Sequence, residues 1–431
     1  MNRRWVNRLY EQLPVLVEKG ILSPETAGRL RDYYGSAKTR EGQRAVVIIF
    51  SILGSLCIGL GIILLLAYNW NKLPLSTRTI LSFVPLILAQ FFVFRTMFYR
   101  KESDAWKEGT ASFLFLMAGA SIALVTQTYH ISADYFDFTL VWMLMGLPLV
   151  YLMRATVPAV IYFIGITVWT GLAKSVGINP IFFWPLAVLI VPYIMQTAKN
   201  SSYAVRSAFL GWVVSLCLCI AVGVTLAGIM GTFGIIIYSC FFSALYLTGL
   251  LFFNEDSALL RFPFQTVGML GILVISYILT FHLREWADWN FPDFVQSLPE
   301  YLLAMLIAGT FIFLLMKFIR RNKTTVLLFA LLPFVAVLVY TLSAFSETGL
   351  MPSFLANLYL LALGVTTIAA GVRNERLDTI NGGMIILIVW IAARFFDWKV
   401  GFIIRGIAFI VIGSGFLFTN SMLIRRRRSK G

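Results

Sequence analysis

The residues whose types suit them to chemistry gather between Thr126 and Asp137. There Gln127 and His130, followed by Asp134 and Asp137, bring one amide, one imidazole and two carboxylates close to Tyr129 and Tyr135. If a helix runs through this stretch, His130 and Asp134 share a face at i and i+4, a spacing that can hold a cation or hydrogen-bond a polar headgroup. Gln127, His130, Asp134 and Asp137 are therefore the candidate substrate-binding residues. With one histidine in the group no metal site is assigned. A second acidic stretch, Glu285, Asp288, Asp293 and Glu300, could supply the base or metal ligand of a lipid-linked glycosyltransferase. Such enzymes usually carry that carboxylate early, and the stretch Asn69 to Arg78 has none. No catalytic residue and no cofactor is assigned, and the expected class is not an enzyme.

These groups sit at the ends of long apolar runs, and the runs must position them. The chain is 59% hydrophobic and 13% charged, whereas charged residues make up about a quarter of a soluble domain. The first run, Ala45 to Ala67, follows Lys38, Arg40 and Arg44 and closes on Tyr68, Asn69 and Trp70. At about 1.5 Å per residue it crosses the roughly 30 Å hydrocarbon layer. Thirteen further runs follow, the last from Val400 to Ile424. Those with Pro148, Pro185 and Pro192 are interrupted, so the count is about fourteen. The fold expected is all-α, a polytopic transmembrane helix bundle over 45–424, preceded by a cytoplasmic amphipathic helical hairpin over 1–44 and followed by a basic tail over 425–431.

Charge sets the orientation. With a cytoplasmic amino terminus and alternating spans, 28 of the 35 Lys and Arg fall inside and 7 outside, a strong positive-inside bias. Both termini are then cytoplasmic, and an inner-membrane location is expected. The net charge of +15 is spread in clusters between apolar runs, so the partner it implies is the lipid bilayer and not nucleic acid. No cleavable signal is read at the start, so the first span is expected to direct insertion. The four cysteines, Cys57, Cys217, Cys219 and Cys240, lie inside runs and read as small packing residues. No carboxylate, histidine or lysine falls near the middle of a run, which disfavours proton-driven transport. Gln90, Gln127, Asn357 and Asn381 read foremost as helix-to-helix hydrogen bonds.

In the amino-terminal segment Trp5, Leu9, Leu13 and Leu16 recur at helical spacing until Gly20 supplies a stop. Ser23, Pro24 and Glu25 have the order of an N-cap, a first-turn proline and a dipole-compatible carboxylate. Such a hairpin buries too little to stand alone, so residues 1–36 are expected to bind a protein partner, the membrane surface or a second copy.

Several short landmarks occur in a telling order: Gly20-Ile21-Leu22-Ser23-Pro24-Glu25, Asn69-Trp70, Tyr129-His130-Ile131, Arg394-Phe395-Phe396-Asp397 and Arg405-Gly406 before an arginine-rich tail. Together they resemble the bacterial membrane-protein family known as domain of unknown function 2157, and Asn69, Trp70, Arg394 and Asp397 count as its motif residues. The resemblance implies a multi-span inner-membrane protein with an amino-terminal helical segment, and no particular activity. Many spans without a large soluble domain point to a transporter or translocator of a small polar or lipid-linked substrate. The alternative is a scaffold or sensor working through its amino-terminal hairpin.

Overall fold

The computed structural model describes residues 13, 16, 17, 19–30, 70–100, 103–132, 134–201, 205–252, 263–281, 291–320, 327–345 and 350–396, with isolated residues from 403 to 414. The first run, nearly all of the last, most of the hairpin, the basic tail, and Asn69 and Asp397 lie outside the described residues. The chain divides within its first long helix into Met1–Leu81 and Ser82–Gly431.

In the smaller unit the sequence signals act as read. Gly20 has φ +69°, and the amides of Gly20 and Ile21 close back on the carbonyls of Val17 and Leu16, both at 3.0 Å. This is the Schellman cap, in which a left-handed residue lets two late amides satisfy helix-end carbonyls. The hydroxyl of Ser23 then accepts from the Thr26 amide at 3.2 Å and opens a helix over residues 24–30. Trp70 is buried and opens a 3-10 turn, Trp70–Lys72.

The described spans are helical throughout. They are α1 (Leu75–Tyr99), α2 (Asp104–Thr128), α3 (Tyr135–Met153), α4 (Thr156–Ser175), the bent pair α5 (Phe183–Val188) and α6 (Val191–Ser201), α7 (Val205–Thr225) and α8 (Met230–Phe252). Then come α9 (Pro263–Leu279), α10 (Leu298–Ile319), the short α11 (Leu327–Ala330), α12 (Leu332–Phe345), α13 (Leu350–Arg373) and α14 (Leu377–Phe396). Eight are long and apolar enough to cross a membrane, nine if the bent pair is one span, and three more, within α9, α12 and α14, are apolar but shorter. Lipid cannot hydrogen-bond a bare backbone, so helices are the form such apolar runs must take. Hydroxyls inside them follow the same rule: Thr167, Thr170 and Thr225 each donate to their own helix four residues back at 2.7–2.8 Å.

Helix α4 is the most buried. Tyr162, Phe163 and Ile166 meet Phe115 of α2, Met143 of α3 and Phe183 of α5 in one core. A second core joins Tyr246 of α8, Ile272 and Leu279 of α9 and Leu360 and Leu363 of α13. Small residues set how closely these helices pack, since dispersion and not water expulsion drives association in lipid. A Cβ on Gly268 of α9 would come within 2.5 Å of the Tyr246 backbone nitrogen, and one on Gly383 of α14 within 2.8 Å of the Ile368 nitrogen. Gly223 of α7 makes room for Tyr238, whose hydroxyl donates to the Cys219 carbonyl at 2.9 Å. Cys217, Cys219 and Cys240 are free thiols packed in the bundle, as their setting implied.

Candidate functional site

The bundle departs most from regular helix at the bent pair. Residues Pro180–Val188 and Val191–Thr197 meet at 47°. Proline cannot donate a backbone hydrogen bond, so Pro192 leaves the carbonyl of Val188 without its helical partner, and the chain tightens across Leu189 and Ile190. Bare carbonyls at membrane depth must find donors elsewhere. Two neighbouring tyrosines donate to carbonyls on either side of Val188: the hydroxyl of Tyr162, on α4, to that of Leu186 at 2.9 Å, and the hydroxyl of Tyr151, on α3, to that of Leu189.

A polar path leads from this break to one end of the bundle. The rings of Tyr151 and Tyr193 meet edge to face at 6.2 Å, and the Tyr193 hydroxyl lies 3.4 Å from Thr156 Oγ1 at the start of α4. There the Glu108 side chain from α2 caps α4: Oε1 accepts from the Thr156 amide at 2.8 Å and Oε2 from the Val157 amide at 2.9 Å. A carboxylate suits that place because helix-start amides lack partners and carry partial positive charge. Arg206, at the start of α7, reaches Glu108 at 3.8 Å and Asp104 at 3.3 Å. The Asp104 contact is largely exposed and adds little, whereas the Glu108 side chain is only 15% exposed. Three helix starts are thus tied at one carboxylate, and the bent pair joins them through Thr156.

The same contacts decide how the bent pair runs. The chain leaves α4 at Ser175, yet Tyr193 lies beside Thr156 at the opposite end of that helix. It therefore travels the length of α4, as an interrupted span does and a re-entrant loop does not.

The stretch that looked best by residue type is built differently. Helix α2 ends at Thr128 and does not continue, so His130 and Asp134 do not share a helix face. His130 has φ +49°, and the Ile131 amide bonds the Thr126 carbonyl at 3.0 Å, the Schellman arrangement seen at Gly20. Asp134 is the N-cap position of α3 without a side-chain cap bond, and Asp137 falls in its first turn. Gln127, His130, Asp134 and Asp137 are all exposed, and among the described residues no hydrogen bond or ion pair joins them. No three metal-ligating side chains come together among the described residues. Of the polar residues within spans, Asn357 behaves as expected: it accepts from the Trp390 indole at 2.8 Å, tying α13 to α14. Gln90, Gln127 and Asn381 are exposed. Arg394 lies in the last turns of α14.

Sequence reasoning missed Glu108, Arg206 and the tyrosines, because residues 24 to 49 positions apart, and Arg206 farther still from Glu108, are joined by the fold and no local spacing announces them. The prolines did announce the break.

Packed apolar helices of membrane-crossing length, with hydroxyls satisfied inside each helix, define a polytopic helical membrane protein. Residues 14–159 match the family described as predicted membrane protein, DUF2157. The match takes in the motifs at Gly20–Glu25, Asn69-Trp70 and Tyr129–Ile131, while those at Arg394–Asp397 and Arg405-Gly406 lie beyond it. No curated protein and no solved structure matches the chain.

Proposed function

We propose that this chain is a transporter or translocator of a small polar or lipid-linked substrate, moved without chemical change, in a bacterial inner membrane. The observation that carries the reading is the interrupted span whose carbonyls at the break are held by hydroxyls of other helices. Discontinuous helices are how many transporters present backbone polar groups to a substrate, and here those groups lie toward the end of the bundle where α3 finishes and α4 begins. Tyrosine hydroxyls suit exchange with a substrate, since each can leave a carbonyl and donate to a ligand without any change of charge. The eight or nine long helices, three shorter ones and the apolar runs over 45–67 and 400–424 add up to about fourteen spans in this reading. With 28 of 35 basic residues on one side, both termini are cytoplasmic and the Glu108 end faces the cytoplasm.

The test is water access to the break. In a chain with its four native cysteines replaced, Leu189→Cys should react with a membrane-impermeant maleimide from one face of oriented vesicles. Protection of Leu189→Cys from both faces would overturn the reading. A second reading, a scaffold acting through its amino-terminal segment, is favoured by Ile21, which is 66% exposed beside the helix over residues 24–30. In that reading, deleting residues 2–36 leaves insertion intact and abolishes a self- or partner-association.

A further inference from the structure

At the other end of α7 from Arg206, a second polar feature lies outside the site above. Glu300, in the first turn of α10, is pressed against Gly228: a Cβ on that glycine would come 2.4 Å from Glu300 Oε2. Oε2 is shielded from solvent and has no hydrogen-bond partner. The Gly228 backbone lies within hydrogen-bonding reach of the carboxylate and Lys174 acts on it through space without an ion pair, so it is Oε2 alone that stays without a donor. An unsatisfied carboxylate oxygen is costly, so its surroundings should offer it a donor. They include a cluster of rings. Tyr301, next in the chain, lies 5.5 Å from Phe294 in a stacked arrangement and 6.1 Å from Phe233, which in turn lies 6.0 Å from Phe291. Phe233 belongs to the helix that follows Gly228, so carboxylate and rings occupy one end of the bundle. Phe291 and Phe294 are 69% and 60% exposed.

A carboxylate oxygen without a donor, at the same end of the bundle as partly open aromatic faces, is complementary to an organic cation. The ammonium gives its N–H to the carboxylate and sets its charge against the ring quadrupoles. A metal ion fits less well, since among the described residues no further ligating side chains join Glu300. We propose that Glu300, with the cluster of Phe233, Phe291, Phe294 and Tyr301, forms a binding site for a primary ammonium group. The group can come from an aminophospholipid headgroup or from a free amine.

The experiment uses the purified, delipidated full chain. One arm equilibrates it with micelles holding equal phosphatidylethanolamine, phosphatidylglycerol and phosphatidylcholine and measures the lipid retained by native mass spectrometry. The other follows thermal unfolding in millimolar ethanolamine. Retention enriched in phosphatidylethanolamine, and reduced about tenfold in Glu300→Gln, identifies the headgroup as the source. Protection by ethanolamine without lipid enrichment, again lost in the variant, identifies a free amine. Phe294→Ala, which alters an exposed ring, should weaken either signal and serves if Glu300→Gln does not fold. Neither enrichment nor protection in the unaltered chain, or signals that persist undiminished in both variants, overturns the site and leaves Oε2 to water.

Discussion

Glu108 and His130 are both polar residues at helix ends, and they do opposite things. Glu108 gives two acceptor oxygens to the bare amides of another helix, a pair of charge-assisted bonds worth about 2 kcal/mol or more together. Its contact with Arg206 at 3.8 Å is marginal by comparison. Glu108→Gln keeps one acceptor and should cost about 1 kcal/mol, while Glu108→Ala leaves both amides bare and should cost about 2–3 kcal/mol. Thermal unfolding in detergent would separate the two, and equal effects would mean the cap carries no stability. His130 contributes a backbone shape instead, since the left-handed region costs a residue with a Cβ about 1 kcal/mol and glycine almost nothing. In the same measurement His130→Gly should be neutral or stabilising and His130→Ala close to neutral. A large loss in His130→Gly would show that the ring, and not the turn, matters.

At the level of elements, what could be read from the sequence followed from local physics. Gly20 ended one helix and Ser23 with Pro24 opened the next, because caps depend on a few adjacent residues. Among the described residues the apolar runs gave helices at the expected places, since run length and bilayer thickness are tied together. Pro192 marked the run that bends, though not which residues would satisfy it. Partnerships such as Tyr162 with Leu186 and Glu108 with Thr156 depend on which helices end up adjacent, and a single sequence does not reveal that. The same limit misplaced His130 and Asp134, whose common face required a helix that stops at Thr128. Tyr162 is fully buried, and Tyr162→Phe removes the donor to Leu186 while preserving the ring. It should destabilise by about 1–2 kcal/mol and speed labelling of Leu189→Cys. Unchanged labelling would show that the hydroxyl does not restrain the break.

For the whole molecule, contacts and charge lead to compatible pictures by independent routes. Glu108, Thr156, Tyr193 and Arg206 meet at one end of α4 and α7, and Gly228 and Glu300 meet at the other end of α7. In the proposed topology, alternation by charge would put the first group inside and the second outside. An impermeant thiol reagent added to intact cells should therefore label Asp134→Cys and spare Ser103→Cys, and the reverse pattern would invert the assignment. Tyr151 and Tyr162 are synthesised before the interrupted span, so the hydroxyls its carbonyls need are already in the membrane when that span leaves the ribosome. The break between α11 and α12 has the opposite history. The Leu328 carbonyl is satisfied by Tyr359, 31 residues later, and until α13 arrives it must wait in the translocon or borrow water.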